Sequence, residues 1–536
     1  VLDASAKSTS GIEYGQMYHL GHYDQCMDIN RDRDSGLRKG IISQYCLADV
    51  YLESYLTRTQ VSRIERFNET ALVHWGVCMP ASCSERDVVQ VVEAISGSRA
   101  VSIPKDACHR EVIAEPSTLD IVYVSIIMFF VLMVALSTLY HIQSICTRRN
   151  EKKTTMVYVL RSFSIIENIK KLAQDSKDDH GLGCINGIKA VAMFTILSGH
   201  ALLFLFGGAG YNPGFYYEQL KYLRNAFLLN SPLLVDTFLL LSGFLFARLL
   251  LIELDKRHGK INFGLLYIFR YIRLTPAYGA MIALYATWLP RLGSGPLWDQ
   301  RMLLEQQRCR ESWWRNALYI NNYLGTDSIC MFQSWYLAAD SQLFVLAPLL
   351  LYPLWRYGRR VGATLLGTVA TVSVVVPFLV TYYGDEVADL QSNSYFANVY
   401  VKTHMRATAY IFGLAVGYLV HIMQQKNITI GKQKLFFFWT ASTLIGTVSM
   451  LSITTFYNSA GTSDYLYNAL YAALHRLGWS LSMWLVLACV TGNAGPLKKF
   501  LSSRLLVPIS RLTYCAYLTN GLVELYFSAS QRVPLY

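Results

Sequence analysis

Residues 185–200 read INGIKAVAMFTILSGH, an apolar run with a lysine near one end and a histidine at the other. Runs close to the ~20 residues that a helix needs to cross a bilayer recur from residue 119 onward. Of the 536 residues, 53% are hydrophobic and 16% are charged, whereas soluble domains have about 25% charged residues. The sequence therefore predicts an all-α polytopic membrane protein with one polar region at its start.

The apolar runs predict about ten transmembrane helices. They lie at residues 119–142, 186–206, 231–252, 265–289, 334–355, 362–382, 406–423, 435–456, 467–490 and 505–526. The chain then divides into a cysteine-rich domain at 1–116, a first transmembrane helix at 117–145, a basic linker at 146–184 and a membrane domain at 185–536.

The net charge of +12 would suit nucleic-acid binding in a soluble protein. Here the lysines and arginines lie mostly in short loops between apolar runs, a placement that the positive-inside rule explains better. We find no nucleic-acid-binding motif and expect no nucleic-acid partner. Every second loop is rich in lysine and arginine, which predicts that these loops are cytosolic. We therefore expect residues 1–116 on the extracellular or lumenal side of the plasma membrane or the endoplasmic reticulum.

Cysteines in residues 1–116 predict a small, disulfide-stapled, mainly helical domain in an oxidising compartment. These cysteines are Cys26, Cys46, Cys78, Cys83 and Cys108. Because five is an odd number, one of them is free or has its partner upstream of Val1, and the sequence leaves the pairing open. The stretch ERDVVQVVEAI follows Ser84, which has the character of a helix N-cap.

Two further features are typical of a secreted-side location. Cys309 and Cys330 lie in the loop at 290–333 and could form a disulfide there. Asn68 begins the sequon Asn68-Glu69-Thr70, a candidate glycosylation site.

Lys189 and His200 are candidate functional residues because of their spacing. Eleven residues on a helix correspond to three turns plus roughly 20°, and to about 16 Å of rise, so both side chains lie on one face. A cation near the cytosolic entrance suits an anionic donor, and a deep imidazole suits a general base. The alternative is that Lys189 snorkels to the interface and His200 makes a single buried hydrogen bond.

Three other spans carry polar groups that could belong to the same site. Asp236 lies in an apolar span that also carries Ser242, and it either faces a cavity or caps its helix. Arg270 and Arg273 share a helix face at a cytosolic helix start, where they either hold phosphates or anchor the helix. Asp340 lies one to two turns inside a third span.

Arg476, inside a further span, needs a buried partner, for which Asp236 and Asp340 are candidates.

These segments resemble the nose-resistant-to-fluoxetine (NRF) family of invertebrate membrane proteins, within the acyltransferase type 3 superfamily. The likeness spans nearly the whole chain. GHYDQCMDI and CMPASCSERDV resemble the extracellular NRF domain. The membrane domain is similar through INGIKAVAMFTILSGH, VDTFLLLSGFL, RYIRLTPAY, SWYLAADSQLFVLAPLLL and PISRLTYCAYL.

The resemblance implies transfer of an acyl group from cytosolic acyl-CoA to an acceptor, which is a small molecule or a lipid. The family signature, a basic residue followed eleven positions later by a histidine, falls on Lys189 and His200. The resemblance gives the histidine the role of base or acyl relay. It gives donor binding to Lys189, Arg270 and Arg273, and its SGF segment begins at Ser242.

We further expect Asp236 or Asp340 to orient the imidazole of His200, as carboxylates do for histidine bases. No metal is expected.

Three departures from the family pattern bear on these expectations. Lys189 replaces the arginine of the signature and loses its bidentate fork. Asn520 stands where relatives commonly have a histidine, and an amide cannot take up a proton as imidazole can. Relatives usually continue through one more span beyond SASQRVPLY. The alternatives are a lipid or xenobiotic uptake protein, or an inactive scaffold whose N-terminal domain binds an extracellular protein partner.

Overall fold

The computed structural model describes residues 1–7, 11–12, 15–34, 42–51, 72–98, 100–110, 115–147, 154–174, 182–384, 393–455 and 465–535. The predicted glycosylation site Asn68 lies outside these residues.

The N-terminal domain is built on a sheet. Its strands are β1 (Tyr18–His19), β2 (Ser43–Tyr51), β3 (Leu72–Pro80), β4 (Val101–Ser102) and β5 (Cys108–Arg110). Strand β2 lies centrally and pairs antiparallel with β3, β4 and β5, while β1 pairs parallel with β3. Two helices accompany the sheet in the part of this domain that the structure describes, α1 (Tyr23–Asp34) and α2 (Glu85–Ser96).

In the described part of the N-terminal domain, a sheet thus stands where we predicted mainly helices. Strand β2 is buried along nearly its whole length, so it shows no alternation of apolar and polar residues. A short buried strand of this kind cannot be told from a buried helical segment by periodicity. The helix predicted after Ser84 is confirmed, since the Ser84 hydroxyl accepts from the backbone N–H of Asp87 in a capping box.

The structure contains three disulfides, which lie on one side of the molecule. Cys26–Cys78 joins α1 to β3, and Cys46–Cys108 joins β2 to β5. Cys83 is the odd cysteine and forms no disulfide. The predicted pairing of Cys309 with Cys330 is confirmed.

Helices make up the rest of the described chain. In chain order they are α3 (Thr118–Cys146), α4 (Thr155–Ser162), α5 (Ile165–Ala173), α6 (Gly183–Phe206), α7 (Pro213–Leu220), α8 (Ala226–Leu229), α9 (Leu234–Lys256), α10 (Phe263–Ala286), α11 (Trp298–Ala317), α12 (Trp335–Arg356), α13 (Arg359–Tyr383), α14 (Thr403–Gln425), α15 (Lys432–Leu451), α16 (Tyr465–Ser482), α17 (Trp484–Val490), α18 (Gly495–Leu501) and α19 (Leu506–Ala529). A π-helical turn, Phe396–Tyr400, precedes α14.

Eight helical stretches of the described chain are long and apolar enough to cross a membrane, so this is a multi-pass membrane protein. They are Thr118–Cys146, Gly183–Phe206, Ser231–Lys256, Phe332–Arg356, Arg360–Tyr383, Phe396–Gln425, Lys432–Leu451 and Tyr465–Val490. The other two predicted spans fall on α10 and α19, each a helix of 24 residues with a less apolar composition. The number of ten spans thus stays a prediction.

The centre of the membrane domain is the tight pair of α9 and α14. A Cβ atom added to Gly243 would lie 2.3 Å from the carbonyl oxygen of Tyr410, and one added to Gly413 would lie 2.1 Å from that of Leu240. Small residues at both positions let the two backbones approach closely.

The N-terminal domain rests on the membrane domain. His109 on β5 bonds to Asp299 on α11, and Arg532 bonds to Asp24 on α1 at 2.9 Å. Leu297, just before α11, shares an apolar cluster with residues of the domain. We call this side of the molecule, which carries all three disulfides, the disulfide side.

Candidate functional site

A cavity of about 620 Å³ lies between α6, α9, α10, α12 and α19. One face of α6 lines it through Lys189, Met193, Ile196, His200 and Leu203. These positions are three or four residues apart, so they form a single helical stripe. The structure thus places Lys189 and His200 on the same cavity wall.

His200 is held at its level by a close helix crossing. A Cβ atom on Gly199 would lie 1.8 Å from the hydroxyl oxygen of Ser231, so this position requires glycine. The contact sets α6 against the turn that precedes α9. The ring of Phe332 then packs edge-on against the imidazole, with ring centroids 5.5 Å apart.

A cluster of cations lines the same cavity toward the Lys189 end. Arg270 on α10 forms an ion pair with Asp340 on α12, and its guanidinium lies 4.0 Å from the centre of the Phe344 ring. Lys189 and Arg273 also line the cavity, and neither makes a hydrogen bond or ion pair with another residue that the structure describes. Two cations therefore remain available to an anionic ligand.

Ser242 completes the predicted donor-binding set, because it lines the cavity from α9. The site therefore gathers six of the seven candidates into one cavity: Lys189, His200, Ser242, Arg270, Arg273 and Asp340.

Asp236 lies apart from these residues. It is not among the cavity-lining residues, and its Oδ1 accepts a hydrogen bond from Arg406 at 2.8 Å with both side chains 1% exposed. The Arg406 guanidinium lies 4.7 Å from the ring centre of Trp335 and 4.0 Å from that of Tyr400. Asp236 thus belongs to a buried ion pair.

The orientation of His200 also differs from the prediction. Its Nδ1 lies 2.6 Å from Oδ1 of Asn520, whereas Asp236 bonds to Arg406 and Asp340 bonds to Arg270. Asn520 in turn donates from Nδ2 to Oε1 of Glu524 at 3.0 Å. The prediction that Asp236 or Asp340 orients the imidazole was therefore wrong, because each carboxylate bonds to an arginine from a distant part of the chain.

This hydrogen-bond chain sets the tautomer of His200. Since Nδ2 of Asn520 faces the carboxylate of Glu524, the amide oxygen faces the imidazole. An amide oxygen only accepts hydrogen bonds, so Nδ1 of His200 carries the proton and Nε2 keeps its lone pair. His200 thus has the form that a general base requires.

The partner expected for Arg476 was also wrong. Its guanidinium donates to the backbone carbonyl of Met405 at 2.7 Å, while Asp236 and Asp340 pair with other arginines.

Sequence reasoning missed Glu524 and Phe332. Glu524 is an acid in a predicted span, four residues after Asn520, and the criterion that selected Asp236 would have found it. Phe332 carries no such signal. Among the described residues, no group of three or more His, Cys, Asp or Glu side chains could hold a metal ion.

Comparison with protein families assigns two parts of the chain. Residues 182–532 match the family described as "Acyltransferase domain". Residues 1–92 match "Nose resistant-to-fluoxetine protein, N-terminal domain". The acyltransferase match contains every residue of the cavity.

Two curated relatives come from Caenorhabditis elegans. Nose resistant to fluoxetine protein 6 is 27% identical, in an alignment that covers all of this chain and 73% of that protein. Regulator of hypoxia-inducible factor 1 is 23% identical over 45% of this chain and 49% of its own length. No solved structure matches the chain significantly.

Proposed function

The chain belongs to the acyltransferase domain family and carries an N-terminal NRF domain, and from this we propose that it transfers an acyl group from acyl-CoA to a hydroxyl or amine. One observation carries the proposal. A single cavity joins Lys189 and Arg273, two cations that pair with no other residue the structure describes, to the imidazole of His200. Lys189 and His200 are about 16 Å apart along the axis of α6.

The Lys189 end would hold the phosphates of the donor. Lys189 supplies a point charge and Arg273 a guanidinium, and both types of cation bind phosphate. Arg270 adds a third cation, held in place by Asp340. An extended donor with its phosphates here would direct its thioester toward His200.

His200 would act as the base at the other end. Nε2 takes the proton of the acceptor hydroxyl or amine while the acceptor atom attacks the thioester carbonyl carbon. The new bond to the acyl carbon forms as the carbon–sulfur bond breaks, and the leaving thiolate of CoA takes the proton. Asn520 accepts from Nδ1–H throughout, which holds the ring in position.

This arrangement gives roles to two of the three departures from the family pattern, Asn520 and Lys189. Asn520 need not take up a proton, because its amide oxygen orients His200 and its N–H₂ group bonds to Glu524. Lys189 keeps the positive charge that a phosphate requires while losing only the bidentate geometry.

The test uses purified protein in lipid nanodiscs, isotope-labelled acyl-CoA and an extract of candidate acceptors. His200→Ala should lower transfer by about 100-fold or more, the usual contribution of a general base. His141→Ala is the matched control, because His141 lies on α3 and bonds to Ser164 away from the cavity. Undiminished transfer by His200→Ala would falsify the mechanism.

Uptake of lipids or xenobiotics is a second candidate, favoured by the mainly apolar lining of the cavity. Uptake that survives His200→Ala, together with undetectable CoA binding, would replace the first proposal. An inactive scaffold would show neither uptake nor CoA binding.

We also infer that the disulfide side faces the extracellular space or the lumen, since disulfides persist in oxidising compartments. Cys146 is exposed at the other end of α3. A membrane-impermeant thiol reagent should modify Cys146 in cells only after permeabilisation. Modification of Cys146 in intact cells would contradict this orientation.

A further inference from the structure

The cavity opens sideways between α9 and α10. Leu249 on α9 and Phe269 on α10 both line the cavity, yet they are 62% and 64% exposed. Leu249 lies seven residues before Lys256, where α9 ends, and Phe269 lies six residues after Phe263, where α10 begins. That spacing corresponds to a depth of about 9–11 Å along helices of about 35 Å, which is below the headgroup layer.

The opening exists because the two helices pack against different neighbours. The main contacts of α9 are with α14, and those of α10 are with α11. Arg270 and Tyr267 connect α10 to α12 through the ion pair with Asp340 and a 3.0 Å hydrogen bond to the carbonyl oxygen of Val345. Leu249 and Phe269 are thus left exposed while they line the cavity.

Positive charge lies at the same depth. Lys189 is six residues from the start of α6, and Arg270 is seven residues from the start of α10, which places both about 9–11 Å inside. Only one carboxylate, that of Asp340, accompanies the three cations among the cavity-lining residues. Cations at hydrocarbon depth are costly without a partner, so the cluster fits a ligand that carries negative charge.

The apolar lining beside these cations is long. Val235, Phe238, Leu245 and Leu249 line the cavity along one face of α9. From first to last they extend over about 21 Å, whereas one leaflet of the hydrocarbon core is about 15 Å thick. The groove therefore has room for a full fatty chain, and an acetyl group would leave most of it unfilled.

We propose that the acyl group is a long fatty chain, which enters the cavity from the bilayer between α9 and α10 while the phosphates of its CoA stay on Lys189 and Arg273. This inference rests on the proposed transferase function and specifies its donor. The charged end and the apolar groove together select an anionic amphiphile, and the proposed transferase function makes that amphiphile an acyl-CoA.

The test is photolabelling in nanodiscs with palmitoyl-CoA that carries a diazirine in its chain. Labelling should fall on α9 and α10 and should be displaced by unlabelled palmitoyl-CoA at a concentration at least tenfold lower than acetyl-CoA. Leu249→Trp, which narrows the opening, should reduce labelling at least tenfold. Ile252→Trp is the control, because Ile252 is exposed on the same helix outside the cavity.

Two results would overturn the inference. One is equal displacement by acetyl-CoA and palmitoyl-CoA, and the other is unreduced labelling of Leu249→Trp. Equal labelling by a photoactivatable phosphatidic acid would assign the groove to a phospholipid instead. In each case, acetyl transfer that still depends on His200 would leave the proposed transferase function intact, whereas absence of all CoA binding would remove both.

Discussion

Two arginine–aspartate pairs lie in the membrane domain, and their surroundings differ. Arg406 and Asp236 are each 1% exposed, and the aromatic rings of Trp335 and Tyr400 pack around the guanidinium. In contrast, the side chains of Arg270 and Asp340 are 23% and 11% exposed.

Both members of the second pair line the cavity, together with the cations Lys189 and Arg273. The first pair is closed to ligands and the second is open to them. The same two residue types therefore form a buried packing contact in one case and part of a cavity wall in the other.

The largest expected difference is in stability. Asp236→Asn leaves the Arg406 charge buried without its partner, and breaking a buried pair costs about 3–5 kcal/mol. Asp340→Asn should cost clearly less, because Arg270 can reach solvent in the cavity. Thermal unfolding of both variants in nanodiscs measures the difference, and equal losses would contradict the distinction between a closed and an open pair.

The next largest effect is expected on the rate of acyl transfer, when Asn520, the residue that bonds to His200, is replaced. Asn520→Leu removes the acceptor for Nδ1–H, so transfer should fall by about 100-fold, within the range of general-base contributions. Asn520→Asp keeps an acceptor oxygen and should retain more activity. Thr519→Val, an exposed neighbour on the same helix, should behave as wild type. If Asn520→Leu were fully active, a different group would have to orient the imidazole.

Loss of the Asp340 carboxylate from the open pair should raise the affinity for the donor. Asp340→Asn removes the one carboxylate among the cavity-lining residues, so CoA should bind about threefold to tenfold more tightly at low salt, with the gain shrinking as salt screens the charges. Asp255→Asn is the control, since Asp255 bonds to Trp355 and Gln425 outside the cavity. Weaker CoA binding by Asp340→Asn would mean that the carboxylate positions Arg270 more than it repels the donor.

The smallest effect is expected from the conservative change at Lys189. Lys189→Arg restores the fork of the family signature and should change CoA affinity by less than about threefold, because the charge is the same. Lys189→Gln removes the charge and should weaken binding by about tenfold. Isothermal titration measures both, and an unchanged affinity for Lys189→Gln would place the phosphates elsewhere.

The sequence alone determined the features that depend on local chemistry. Apolar runs located all eight helical stretches of the described chain that are long and apolar enough to cross a membrane, because a backbone in lipid must satisfy its hydrogen bonds within long helices. The eleven-residue spacing placed Lys189 and His200 on one face of α6, because helical geometry is regular.

Tertiary structure alone decided which polar groups meet. Asp236 and Arg406 are 170 residues apart, and His200 and Asn520 are 320 apart. No local pattern distinguishes Asp236 from Asp340, since each is an acid in an apolar helix. The packing of α9 on α14 places Asp236 against Arg406, whereas the looser contact of α10 leaves Asp340 and Arg270 in a cavity. The β-sheet of the N-terminal domain likewise depends on pairing between distant segments, which periodicity along one segment cannot show.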